Sequence, residues 1–177
     1  MMQSIEKLIV ADTPVLDEEL FMFIAQRPEV LTERNRDGRT VLQQLIAFKR
    51  ASLVERLAAS SDWELNISNA DEAGWTALHQ VASLGLSSLL PIVLGAGVNS
   101  RTRGGQSAIH YAASKGHTAL VERLLQVPEI DVKSADKLGQ TALHRAAVLG
   151  RTEIATLLLS REPSIINYRD FEGNTAL

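Results

Sequence analysis

The stretch Gly74-Trp75-Thr76-Ala77-Leu78-His79 returns as Gly105-Gln106-Ser107-Ala108-Ile109-His110 and again as Gly139-Gln140-Thr141-Ala142-Leu143-His144. A degenerate copy stands at Gly38-Arg39-Thr40-Val41-Leu42-Gln43, and a further one begins at Gly173-Asn174-Thr175-Ala176-Leu177. Successive glycines lie 36, 31, 34 and 34 residues apart. Self-similarity at such a period means that one small unit is stacked on itself, because a single unit cannot bury its own apolar face. Within the unit, Thr40, Thr76, Ser107, Thr141 and Thr175 stand where a helix N-cap hydroxyl is wanted. Alanines and apolar residues follow, and Gly85, Gly116 and Gly150 suit a left-handed helix end. A second helix is marked by apolar pairs four apart: Leu120 and Val121 with Leu124 and Leu125, or Ile154 with Leu157 and Leu158. Leu53-Val54-Glu55-Arg56-Leu57 recurs letter for letter as Leu120-Val121-Glu122-Arg123-Leu124. The unit is a turn followed by two short helices.

That period and the Thr-Ala-Leu-His signature resemble the ankyrin repeat, so the expected fold is an all-α ankyrin-repeat solenoid with β-turn fingers. We divide residues 1–177, as one domain, into repeats at 3–35, 36–70, 71–102, 103–135 and 136–169, with an incomplete repeat at 170–177. The first lacks the motif but carries a helical pattern (Leu16, Leu20, Phe23, Ile24) ending before Pro28. It suits an N-terminal cap whose outer face must be polar. Pro91 replaces the equivalent of Glu122 near a first helical turn, where proline is tolerated. Gly95-Ala96-Gly97-Val98-Asn99-Ser100 is shortened, which predicts a tightened finger after it, whereas Ser60-Ser61-Asp62-Trp63-Glu64 is longer. At the other end the C-terminal repeat is truncated. The helix pair expected to cover Ile154, Leu157 and Leu158 is missing, so the chain reads as part of a longer protein.

Composition narrows the function. A net charge of −3 offers no global basic field for nucleic acid or anionic lipid. No apolar run approaches the roughly 20 residues that cross a bilayer. The first residues, Met1 to Lys7, lack a signal-peptide pattern, and the absence of cysteine excludes disulfides, thiolate catalysis and cysteine zinc sites. The expected setting is cytoplasmic and nuclear.

No constellation for catalysis rises above the repeat. His79, His110 and His144 hold the same place in successive repeats, about 10 Å apart, too far to share a zinc ion. Their expected work is hydrogen bonding to the neighbouring finger, and His117 is expected to face solvent. Gly104-Gly105 and Gly95-Ala96-Gly97 lack the Gly-Lys-Ser/Thr ending of a phosphate loop. Ser134-Ala135-Asp136-Lys137 matches the Ser-x-x-Lys motif by letters alone. Asp71, Glu72 and Asp136 are finger carboxylates for which turn geometry is explanation enough. No catalytic residue, cofactor or metal ligand is assigned.

Surface remains. Repeat proteins bind along the concave face made by finger tips and first helices. The residue after each finger glycine is Arg39, Trp75, Gln106, Gln140 or Asn174, and the last before each helix end is Phe48, Leu84, Lys115 or Leu149. Trp75, Phe48, Leu84 and Leu149 would expose apolar area there, rimmed by Arg36, Asp37, Arg39, Asp71, Glu72, Arg103 and Lys115. This is the pattern of an interface with apolar anchors and a charged rim.

The pieces Asp71-Glu72-Ala73-Gly74-Trp75-Thr76-Ala77-Leu78-His79, His110-Tyr111-Ala112-Ala113-Ser114-Lys115, Leu143-His144-Arg145-Ala146-Ala147 and Asp170-Phe171-Glu172-Gly173-Asn174-Thr175 occur in the order found in gankyrins. Asp37-Gly38-Arg39 fits the second repeat of that family. The chain thus resembles the gankyrin family, assembly chaperones of the 26S proteasome regulatory particle. The resemblance implies a monomer that binds the C-terminal domain of a proteasomal AAA ATPase subunit along the concave face. It gives Arg39 and Lys115 the basic contacts, Asp37, Asp71 and Glu72 the acidic ones, and Trp75 the finger tryptophan. Val41-Leu42-Gln43 and the shortened segment before Arg103 depart from the family pattern. Two alternatives stand beside it: another ankyrin adaptor or kinase-inhibitor-like protein, or an ankyrin segment attached to an enzyme.

Overall fold

The computed structural model describes residues 9, 14–60 and 65–176. Much of the capping segment, and Ser61 to Glu64 of the lengthened one, lie outside the described residues. The helices are α1 (Pro14–Gln26), α2 (Val41–Ala47), α3 (Ala51–Ala59), α4 (Ala77–Leu84), α5 (Leu90–Val93), α6 (Ala108–Lys115), α7 (Thr118–Leu125), α8 (Ala142–Val148) and α9 (Thr152–Arg161). Among the described residues there are isolated β-bridges, Arg34 with Thr40 and Ala135 with Thr141, in place of strands. The architecture is an all-helical ankyrin-repeat solenoid.

Each inner helix starts at the hydroxyl named above: Thr40, Thr76, Ser107 and Thr141 cap α2, α4, α6 and α8 with reciprocal capping boxes. Small residues then do the packing. Ala77, Ala82, Ala108, Ala112, Ala113, Ala142 and Ala146 are all but inaccessible, and α6 lies against both α4 and α8. Leu53, Val54 and Leu57 of α3 and Leu120, Val121 and Leu124 of α7 bury the outer side of the same continuous core. At the N-terminal end Leu20 and Ile24 of α1 are buried. There the buried Arg50 holds Asp17 at 2.6 Å and the Ile9 carbonyl at 3.2 Å.

Three expectations need correction. Ile154 and Leu158 are 1% and 0% exposed without a following helix pair among the described residues, because α9 packs on α7, α8 and the 3-10 turn Pro163–Asn167; Leu157 is partly open. The finger after the shortened segment is not tightened, since Thr102 and Gln106 close it as in the other repeats, at 2.9 Å. The outer helix absorbs the deletion instead: α5 has four residues between two 3-10 turns. His117 is half-buried and engaged rather than free in solvent; its Nε2 donates to the Ser83 carbonyl at 3.0 Å, tying the start of α7 to the end of α4.

The fingers form a ribbon along one edge. Glu72, Arg103, Lys137 and Phe171 donate their backbone N–H to the carbonyls of Asp37, Ala73, Gly104 and Leu138 in the preceding finger. Gly74 shows why each tip needs glycine: φ is +81°, and a Cβ there would meet the Arg103 nitrogen at 2.8 Å.

Candidate protein-binding face

The inner face is built by fingers and inner helices together, and its order begins with the turns. In four of the five, an Asn35, Asp71, Asp136 or Asp170 side chain accepts two backbone N–H groups of its own turn at 2.8–3.0 Å. Thr102 takes that place in the remaining turn and cannot reproduce it. The aspartates are thereby used up structurally. Asp136 would be raised by burial, but hydrogen bonds from Arg145 and from the Gln140 and Leu138 N–H groups hold its pKa below the ordinary value.

Asp71 therefore leaves the set of accessible contacts. It is 8% exposed, and its second oxygen lies 3.2 Å from Arg39 Nε. Arg39 is half-exposed but already neutralised by this pair. Trp75 is not an exposed anchor either. It is half-buried because its ring leans on Tyr111 at 4.4 Å between centroids and on His79 at 6.2 Å. Leu84 is likewise partly covered by the core.

Trp75 nevertheless organises the face, since it walls two hollows. An open one of about 480 Å³ lies between consecutive fingers, lined by Glu72, Trp75, Thr102, Arg103, Gln106 and Tyr111 among others. A smaller one of about 200 Å³ lies on the other side, against Arg39, Ala47, Gln80, Ser83 and Leu84. Asp37, Phe48, Lys115 and Leu149 line neither hollow. Asp37 and Lys115 are exposed, and Phe48 and Leu149 are 47% and 49% exposed. Arg103, Lys115 and Lys137 are exposed cations with no ion pair among the described residues.

Sequence reasoning missed Tyr111 and Gln80, which line the hollows, and the exposed Leu138, Val148 and Phe171. Aligning the position after each histidine would have shown the column Gln44, Gln80, Tyr111, Arg145. Tyr111 is positioned by a hydrogen bond from its hydroxyl to Gln106 Oε1 at 2.8 Å.

The histidines do the structural work expected of them. His79 Nδ1 accepts the Thr76 N–H at 3.1 Å, which leaves the proton on Nε2, facing the Ser100 and Gln106 carbonyls at 3.0 and 3.2 Å. His110 and His144 repeat this with Gln140 and Asn174. Burial lowers the pKa of His79 and takes that of His110 down to about 4, against the smaller opposing pull of the carbonyl hydrogen bonds.

Comparison with known proteins agrees with this geometry. Over 103 residues, 56% of the chain, it is 33% identical to alpha-latrotoxin-Lg1a of Latrodectus geometricus; the chain spans only 8% of that relative. A family profile for ankyrin repeats (three copies) matches residues 78–170, more than half of the chain. With the finger ribbon, capping boxes and histidine ladder in the same stretch, that match assigns the molecule: the chain belongs to the ankyrin-repeat family.

Proposed function

We propose that this protein-binding scaffold takes the C-terminal domain of a proteasomal AAA ATPase subunit on its inner face, as a chaperone in assembly of the 26S proteasome regulatory particle base. The scaffold role rests on the ankyrin repeats themselves. The inner face is favoured by one arrangement: Trp75 between two hollows, one of them lined by the exposed Glu72 and Arg103. The choice of partner rests on the resemblance to gankyrins in the Trp75 finger and the Leu143-His144-Arg145-Ala146-Ala147 segment. Such a role belongs in the cytoplasm and nucleus. Unpaired charges of both signs would steer encounter and select among similar ATPase domains more than they add affinity.

The test is a titration against the purified C-terminal domains of the proteasomal ATPases at low and moderate salt. Tight, salt-weakened binding to one of them is expected. The double variant R103E/K115E should lose at least about tenfold in affinity, because both cations are free to meet a partner. Its melting curve should be unchanged. Arg39 is left intact, since its reversal would set two carboxylates side by side. Undiminished binding by the double variant rejects the rim. Binding to none of the domains rejects this partner. It leaves the second reading, an adaptor or kinase-inhibitor-like scaffold, for which the ankyrin repeats alone speak.

A further inference from the structure

One place after the histidine position, the four inner helices carry Gln44, Gln80, Tyr111 and Arg145. In the last two repeats this side chain is engaged by its own finger: Tyr111 donates to Gln106, and the Arg145 guanidinium to Asp136. In the first two it is not. Gln44 Nε2 and Gln80 Oε1 have no hydrogen-bond partner among the described residues, although these glutamines are only 5% and 6% exposed. A buried polar atom without a partner costs stability, and folded proteins hold few of them. Gln80 also lines the hollow of about 200 Å³ beside Trp75, Leu84, Ala47 and Ser83. That volume is below the roughly 300–1,000 Å³ of small-molecule sites. It suits a single side chain.

We propose that Gln44 and Gln80 receive an extended peptide segment of the protein partner, pairing with its backbone amides while one of its side chains seats against Trp75 in the hollow. The proposal rests on the scaffold reading above and does not depend on which protein the partner is. The unmatched groups select a peptide backbone. Every peptide group offers both an N–H and a C=O, so the free donor of one glutamine and the free acceptor of the other are met together. The spacing agrees: stacked helices lie about 10 Å apart and an extended chain advances about 3.3 Å per residue, so peptide groups three residues apart come level with both. A charged ligand finds little here, because Arg39 is neutralised by Asp71. The hollow gives the Gln80 amide room to turn toward its new partner.

The experiment uses the whole chain and a random-peptide phage library selected on it, with the tightest peptide then synthesised. Q80L, and Q80M with less change of shape, should raise Tm by about 2–5 °C by removing the unmatched amide. Both should weaken the peptide at least tenfold, and Q44L should act in the same direction. Scanning N-methylation along the peptide should find affinity concentrated in a stretch spanning two positions about three residues apart. Side-chain amide signals of Gln44 and Gln80 should shift on binding. A library that yields no binder, a Q80L protein that holds the peptide as well as wild type, or a Q80L protein with lowered Tm overturns the proposal. Peptide binding without ATPase binding would remove only the named partner. ATPase binding that Q80L leaves untouched would show a folded surface in place of an extended segment, and would also overturn it.

Discussion

Gln43 stands in the degenerate repeat where the others have histidine, and it makes the same contacts. Its Oε1 accepts the Thr40 N–H at 2.9 Å, and its Nε2 donates to the Trp75 carbonyl at 2.6 Å. The ladder therefore needs an acceptor and a donor at fixed separation, not an imidazole. The histidine version carries a liability that glutamine lacks. His110 has its folded pKa lowered to about 4 against an ordinary 6.5. Above 6.5 both folded and unfolded chains hold it neutral, with no effect on stability. As pH falls from 6.5 toward 4 the unfolded chain takes the proton first, so stability is lost across that window, by about 2 kcal/mol at pH 5. H110Q should therefore keep the fold at pH 7 and lose less stability between pH 7 and pH 5 than wild type in urea melts. An identical loss in both proteins would mean that His110 does not drive the acid sensitivity.

The turn joining paired helices shows the same logic at the level of the element. Gly85, Gly116 and Gly150 take φ of +71°, +79° and +64°, whereas Lys49 occupies the matching place in the degenerate repeat at +58°. A side chain in that left-handed conformation costs about 1–2 kcal/mol. Glycine gives part of this back through its freer unfolded chain. K49G should thus stabilise the protein by about 1 kcal/mol, raising the urea midpoint with an unchanged slope. A lower midpoint would show that the Lys49 stem contributes packing worth more than the strain. The fingers are the complementary element: a carboxylate or amide accepts the internal hydrogen bonds of four of the five tips, and backbone donors tie one tip to the next. Asp71 is an interior part of such a turn, which is why its charge does not reach a partner.

Across the whole molecule stability is one-dimensional, because each repeat touches mainly its neighbours. Ile109 is fully buried in α6, between α4 and α8. I109A should cost about 3–4 kcal/mol and lower amide-exchange protection in α4, α6 and α8 together. L158A, in α9, should lower protection chiefly in α8 and α9. Equal loss throughout the chain in both variants would contradict nearest-neighbour coupling.

The repeat, its caps, its alanine-lined inner helices and the role of the histidines were legible in the chain, because each follows from period, local hydrogen bonding and helix geometry. The exposure of Asp37, Glu72, Arg103 and Lys115 was legible for the same reason. Tertiary structure decided the rest. It turned Trp75 inward onto Tyr111, spent Asp71 on its own turn and on Arg39, and shortened α5 to absorb the missing residues. It also left Gln44 and Gln80 unmatched where Tyr111 and Arg145 are satisfied. Position within a repeat follows from periodicity. Which polar groups find partners depends on the neighbouring repeat and on side-chain reach, and neither is written in the spacing.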